Sequence, residues 1–377
     1  MMLDPNEFLS NLVEIGVDFY TGVPDSLLKE FCACVTSNLP RDKHVISSNE
    51  GAAVGLALGY HLGTGKVPLV YMQNSGLGNI INPLLSLASS EVYAVPMLLM
   101  IGWRGEPGVK DEPQHIHQGR VMLEMLTAMN IPHNVISNDN LIANEQVQKS
   151  FDQACNISGP VAMIIKKELF NKYPVKKSKS QLSVTREDAI IAAASKIIPN
   201  SVIVSTTGMA SRELFEYREA NKLGHHRDFL TVGGMGHASQ IALGIAMSQP
   251  ERAVYCFDGD GAALMHMGSM AISGKSSCAN FVHLVFNNGV HASVGGQPTL
   301  GFQIDFCQVA KSCGYKNTIR TDSILELNSA IEYTYSSRGP HFIEVRTLPD
   351  NRKDIGRPTT TPKQNKIDLM KFIGAIR

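Results

Sequence analysis

Short runs of β-branched and aliphatic residues alternate along the chain with longer stretches in which Ala, Leu and Met recur at helical spacing. Strands buried on both faces read as continuous apolar runs, and the helices between them keep one polar side, so this alternation predicts parallel βα units. Strands are expected at 17–21, 45–48, 69–72, 97–101 and 161–166, and again at 202–206, 253–257, 282–286 and 342–346. The longest apolar stretch, 95–101, is the length of a strand and too short to span a bilayer.

The two sets of strands overlay at a nearly constant offset. A shift of 185 carries Ala57-Leu58-Gly59 onto Ala242-Leu243-Gly244, Gly76 onto Gly261, and the strand at 97–101 onto 282–286. Gly159-Pro160 matches Gly339-Pro340 at an offset of 180. Doubly wound domains share small apolar positions by chance as well, but here the loops after matching strands are glycine-rich in both halves, where open parallel sheets bind ligands. The expectation is an α/β chain of two doubly wound parallel-sheet domains, 1–170 and 188–377. The segment 171–187, with one Pro, four Lys and three Ser, reads as an exposed linker, and 350–364 as a polar, proline-containing tail.

Composition narrows the function. With 377 residues, 44% of them hydrophobic and 18% charged, the chain can build two sizeable cores. A net charge of +0 offers no field for nucleic acid or an anionic membrane, which favours a small-molecule substrate. Seven cysteines without a Cys-x-x-Cys pair resemble neither a disulfide framework nor a zinc site and point to reducing cytoplasm. The start, Met-Met-Leu-Asp-Pro, has no signal-peptide pattern.

Two loops of the second half carry candidate chemistry. Gly259-Asp260-Gly261-Ala262 follows a strand and opens a helix, so its backbone can approach a phosphate, and Asp260 beside that phosphate calls for a divalent cation. An ordinary Asp-Gly turn would look the same. Twenty-five residues separate Gly261 from Asn287-Asn288-Gly289-Val290-His291, enough for a helix and a strand. Carboxylate, amide oxygen, loop carbonyl and diphosphate oxygens together form the hard-oxygen shell that Mg²⁺ prefers.

Gly-Asp-Gly followed at this distance by Asn-Asn resembles the signature of thiamine-diphosphate enzymes. The resemblance implies thiamine diphosphate and Mg²⁺ as cofactors, with Asp260, the Asn288 side chain and the Val290 carbonyl as metal ligands, and Gly259, Gly261 and Ala262 at the diphosphate. In the first half, Ser47-Ser48-Asn49-Glu50-Gly51 reads by itself as a helix cap, Asn49 capping and Glu50 favoured in the first turn. By resemblance Glu50 is the family's activating glutamate, sharing a proton with the pyrimidine so that the thiazolium C2 becomes the nucleophilic ylid. Gly233-Gly234-Met235-Gly236 resembles the segment whose apolar residue bends the cofactor. Met235 would be that wedge and the Gly233 carbonyl would hold the amino group. A flexible turn with Met235 in the core remains the alternative. Gln73-Asn74-Ser75-Gly76-Leu77-Gly78-Asn79 resembles the family's Ser-Gly-Pro-Gly turn, with Gly76 beside the pyrimidine and Leu77 in place of proline.

The short linker leaves no room for a middle domain. That compact arrangement resembles the phosphonopyruvate and sulfopyruvate decarboxylase branch, as do Gly22-Val23-Pro24-Asp25-Ser26, the run from Lys110 to Gly119, and the run from Arg352 to Pro358. The implied reaction is non-oxidative decarboxylation of 3-phosphonopyruvate to phosphonoacetaldehyde and CO₂ in phosphonate biosynthesis. Sulfopyruvate decarboxylation and acetolactate-type carboligation are the alternatives. Asp25 and His115 are the expected proton-handling and substrate-contacting residues. Arg104, Lys110, Arg352 and Arg357 are candidates for the acidic group on C3. The resemblance also implies at least a homodimer, with active sites shared between subunits. A nicotinamide oxidoreductase fits less well, because each glycine-rich turn lacks the third glycine of the Gly-x-Gly-x-x-Gly fingerprint.

Overall fold

The computed structural model describes residues 2–174, 182–349, 351–352 and 354–377. These fall into two compact units. Residues before 175 together with Val294–Gln297 form the first, and residues after 181 apart from that segment form the second.

The first unit holds a six-stranded parallel sheet built from β1 (Val17–Gly22), β2 (His44–Ile46), β3 (Val67–Gln73), β4 (Met97–Gly102), β5 (His133–Val135) and β6 (Pro160–Ile165). The second holds β7 (Val202–Ser205), β8 (Asp228–Leu230), β9 (Val254–Gly259), β10 (Phe281–Asn287), β11 (Asn317–Thr321) and β12 (His341–Arg346). In space the first sheet runs β2-β1-β3-β4-β6-β5 and the second β8-β7-β9-β10-β12-β11. Numbered within each unit, both read 2-1-3-4-6-5, so the offset seen in the sequence corresponds to one topology used twice.

The sheets take this form because their central strands are apolar on both faces. In β4, Leu98 and Met100 enter the core on one side while Met97, Leu99 and Ile101 enter the core on the other. β10 divides likewise, Leu284 and Phe286 against Phe281 and Val285. Each such side chain contributes about 1.5–3 kcal/mol by leaving water.

All nine expected strands are present, their ends displaced by at most three residues. The three not foreseen, β5, β8 and β11, are short or polar, and each closes a sheet edge. β8 adds polar contacts to the packing of Leu230 and Phe229. Arg218 clamps Asp228 through two bonds of 2.8 and 3.0 Å, and Asn365 bonds the strand backbone at Leu230 and Asp228. Asn365 belongs to the helix Pro362–Phe372, which begins inside the range read as a polar tail. Asp350 and Lys353 lie outside the described residues.

The expected linker is packed at both ends. Asn171 N donates to Leu3 O, Tyr173 N donates to Glu30, and Val184 is buried in the second unit's core. Thr185 caps the helix Arg186–Lys196, which takes in the last two residues of the 171–187 range, and Arg186 is buried against Glu213. Residues 175–181 lie outside the described residues. Among the described residues there is no third sheet.

Candidate active site

In the first unit the loops leaving β1 and β2 bring two buried carboxylates, Asp25 and Glu50, to one edge of the sheet, and those leaving β3 and β4 supply their neighbours. Glu50 opens the helix Glu50–Thr64, whose cap is Asn49: its side chain accepts from Ala52 N at 2.9 Å. Glu50 is 5% exposed, and Asn79 Nδ2 donates to its Oε2 at 2.7 Å. Gly76 leaves room for the same carboxylate, since a Cβ there would sit 2.6 Å from Glu50 Oε1. Asn49 caps, and Glu50 turns a carboxylate inward against the Gln73–Asn79 turn.

Asp25 is fully buried. Its carboxylate accepts from Gln73 Nε2 at 2.6 Å and Leu27 N at 2.9 Å, and burial pushes its pKa above the usual carboxylate range. Arg104 is held by Asp111, with Nε to Oδ2 at 2.8 Å, and reaches Ser26 Oγ at 2.9 Å. Its backbone is tied to Asn74 in both directions. His115, in the first turn of the helix Pro113–Ala128, feels Arg104 and Asp111. Burial, with a smaller contribution from the Arg104 charge, pushes its pKa down to about 4, and its buried Nδ1 has no hydrogen-bond partner among the described residues. Asp25, Arg104 and His115 are thus gathered into one cluster. Lys110, in the loop before this helix, is exposed.

The second unit gathers the other set. Asp260, 3% exposed, begins the helix Asp260–Met265 at the end of β9. Its carboxylate accepts from the Thr299 hydroxyl and faces the backbone N–H groups of Gly261 and Asn288. Burial outweighs these donors and pushes its pKa up to about 6. At the end of β10, Asn287 Nδ2 donates to Gly301 O and Glu344 and its Oδ1 accepts from Gly289 N at 3.2 Å, while Asn288 Oδ1 accepts from Val290 N at 3.1 Å. A buried carboxylate held up near 6 and an amide oxygen on the adjoining loop suit a divalent cation bound through oxygen, whose charge would offset the cost of burial. The Gly233–Gly236 turn follows β8, and Met235 there is half-buried. Beneath the Asp260 loop, Asp258 bonds His283 at 3.2 Å and His283 bonds Tyr315 at 3.2 Å, a buried polar set that stiffens the end of β9.

Two substrate candidates lie elsewhere in this unit. Arg352 is ion-paired with Glu187, Glu216 and Asp354, so its charge is already matched, and Arg357 is exposed. Sequence reasoning did not find Gln73, Asn79, Asp111 or Thr299. Gln73 and Asn79 are the two ends of the run compared with the Ser-Gly-Pro-Gly turn, and Asp111 lies in the run from Lys110 to Gly119, but the sequence assigned none of them a role. Thr299 lies 39 residues beyond Asp260, with no motif to link them.

Residues 7–130 match the thiamine pyrophosphate enzyme N-terminal TPP binding domain, and residues 206–345 the thiamine pyrophosphate enzyme C-terminal TPP binding domain. The chain is 32% identical to a protein of Streptomyces viridochromogenes named phosphonopyruvate decarboxylase, over 96% of this chain and 93% of the relative. It is 26% identical to a sulfopyruvate decarboxylase of Methanosarcina acetivorans, over 98% of this chain and 100% of the relative. A sulfopyruvate decarboxylase subunit beta of Methanococcus maripaludis is 32% identical over 51% of this chain and 99% of its own length. The matched domains contain both clusters, and the chain belongs to the thiamine pyrophosphate enzyme family.

Proposed function

We propose that the chain is a thiamine-diphosphate- and Mg²⁺-dependent decarboxylase that converts 3-phosphonopyruvate to phosphonoacetaldehyde and CO₂. The observation that carries the reading is Glu50, a buried carboxylate turned against Gly76 and held by Asn79. The likeness to phosphonopyruvate decarboxylase over nearly the whole chain supports the choice of substrate.

Asp260, Asn288 and the Val290 carbonyl would hold Mg²⁺, with Gly259, Gly261 and Ala262 at the diphosphate and Gly233 and Met235 at the ring system. Bound thiamine diphosphate supplies the nucleophilic carbon and the electron sink that carboxylate loss from a 2-oxo acid requires. Glu50 holds the proton exchanged with the pyrimidine, and its burial excludes water from that exchange. Asp25 and His115, gathered at one edge of the first sheet, handle the proton that the product carbon takes up. His115 is neutral at physiological pH, so it acts as an acceptor or relay unless the substrate's charge raises its pKa. Arg104 is the cation best placed for the acidic group on C3, because it lies beside Asp25 and His115. Arg352 serves this role less well, its charge being matched by three carboxylates.

Glu50 and Asp260 belong to different units of the chain, and the reaction needs both on one cofactor. A homo-oligomer of at least two copies with shared sites, in the cytoplasm, completes the reading. CO₂ release from phosphonopyruvate, sulfopyruvate and pyruvate, with each cofactor supplied or omitted, tests it. Cofactor-dependent turnover of phosphonopyruvate that collapses in Glu50→Gln is expected. Turnover of sulfopyruvate alone would reassign the substrate, and no release from any 2-oxo acid would refute the decarboxylase.

A further inference from the structure

The Asp25 carboxylate lies on a floor made by Gly102, where an added Cβ would come within 2.2 Å of Oδ2. Gly102 and Gln73 are register partners at the ends of β4 and β3. The Gln73 side chain therefore stands beside that floor and reaches Asp25 Oδ1 through Nε2 at 2.6 Å. The other end of its amide is taken up as well, since Ser75 Oγ donates to Gln73 Oε1 at 2.8 Å. In this arrangement hydroxyl, amide and carboxylate form one chain in which the amide presents its NH₂ to Asp25, and such a donor favours the ionised carboxylate.

The other groups facing Asp25 are few. Leu27 N donates to Oδ2, and Ser26 Oγ lies 3.5 Å from Oδ1 while accepting from Arg104. The Arg104 charge acts from the loop after β4, and the Cys32 thiol faces Asp25 from the helix Lys29–Asn38. Burial opposes all the donors and pushes the proton onto Asp25, with Gln73 the largest of the counteracting contacts.

We propose that Gln73, braced by Ser75, is a positioning residue for Asp25, orienting its carboxylate and keeping it able to take up a proton in the decarboxylation proposed above. The inference rests on that reading for its place in the reaction, but the coupling of Gln73 to Asp25 can be measured without turnover.

The test uses the full chain and four variants: Gln73→Leu, Gln73→Asn, Ser75→Ala, and Asp25→Asn to identify the Asp25 carboxyl band. Difference infrared spectroscopy across pH reads the protonation midpoint of Asp25, and turnover across pH reads kcat and KM separately. Loss of one hydrogen bond to a charged group should raise the midpoint in Gln73→Leu by about one pH unit and lower kcat about tenfold. KM should change by less than about threefold. Gln73→Asn, whose shorter side chain still offers an amide, should recover part of the shift. Ser75 is exposed, so Ser75→Ala should fold as the native chain does and move the midpoint the same way by less. Unmoved midpoints in both Gln73→Leu and Ser75→Ala would overturn the proposal. A shifted midpoint in a chain that turns over no 2-oxo acid would sink the decarboxylase reading and leave the coupling standing.

Discussion

Asn79 donates to Glu50 Oε2 at 2.7 Å while Gly76 leaves space at Oε1, so one short turn holds one oxygen of the buried carboxylate and makes room for the other. Removing the donor takes a hydrogen bond from a buried carboxyl group, at a cost of about 1–3 kcal/mol. If Glu50 must stand in one place to exchange its proton, Asn79→Leu should lower kcat about ten- to a hundredfold. Cofactor affinity, read by titration calorimetry, should change less. Equal loss in both would assign Asn79 to binding alone.

Gly76 makes the complementary prediction. A methyl group at this position meets Glu50 Oε1 at 2.6 Å, and the carboxylate is the softer partner, so Gly76→Ala should displace Glu50 and leave the sheet intact. Turnover should fall at least about tenfold while the unfolding midpoint moves by only about a kcal/mol or two, the ordinary range for a single substitution. Native turnover in the variant would show that Glu50 tolerates a shift and is not the activating group.

The Arg218–Asp228 pair is buried on both sides, at 1% and 0% exposure. Arg218→Met would strand the carboxylate at the edge of the second sheet, and removing one partner of such a pair costs about 3–5 kcal/mol. Urea unfolding should show that loss. Adding Asp228→Leu to Arg218→Met should recover most of it, since no unpaired charge then remains.

His44 bonds Tyr71 at 2.8 Å, and burial pushes its pKa down to about 4. The unfolded chain, with an ordinary imidazole near about 6.5, binds the extra proton first as pH falls. His44 therefore contributes stability that is fully present above about 6.5 and is lost as pH falls toward 4. The thermal midpoint of the native chain minus that of His44→Gln should shrink from pH 7 to pH 4.5. A difference independent of pH would mean that His44 takes up its proton as readily in the folded chain as in the unfolded one.

What the sequence disclosed, and what it withheld, follows from how each feature is encoded. The central strands were legible because burial on both faces demands an apolar run, and the duplication because it preserved Gly76 against Gly261 and Gly159-Pro160 against Gly339-Pro340. β8 and β11 were not, because Arg218 and Asn365 hold the first through polar contacts and the second is a largely polar edge, Asn-Thr-Ile-Arg-Thr. Asp260 and Asn288 announced themselves through a spaced motif. Gln73, Asn79 and Asp111 did not, because a hydrogen-bond donor or an ion-pair partner needs only to arrive in space. Arg104 illustrates the difference: its positive charge was readable, but its pairing with Asp111 came only from the fold of the intervening loop.

Asp260 sets the last prediction. Its carboxylate is buried, bonded to Thr299 and raised to about 6, so without a cation it stands near half protonation at mildly acidic pH. A divalent cation would hold it ionised and join it to a diphosphate, which makes binding of metal and of cofactor mutually reinforcing. Thermal unfolding should therefore rise little with Mg²⁺ alone or thiamine diphosphate alone, and by several degrees with both. A ligand at about a hundred times its dissociation constant stabilises the folded state by about 2.7 kcal/mol. Chelation should reverse the rise. Asp260→Asn should abolish the joint effect while leaving the midpoint without ligand close to native, because the amide keeps a partner in Thr299 and removes a buried charge. Equal stabilisation of native and Asp260→Asn chains by the two ligands together would place the metal elsewhere.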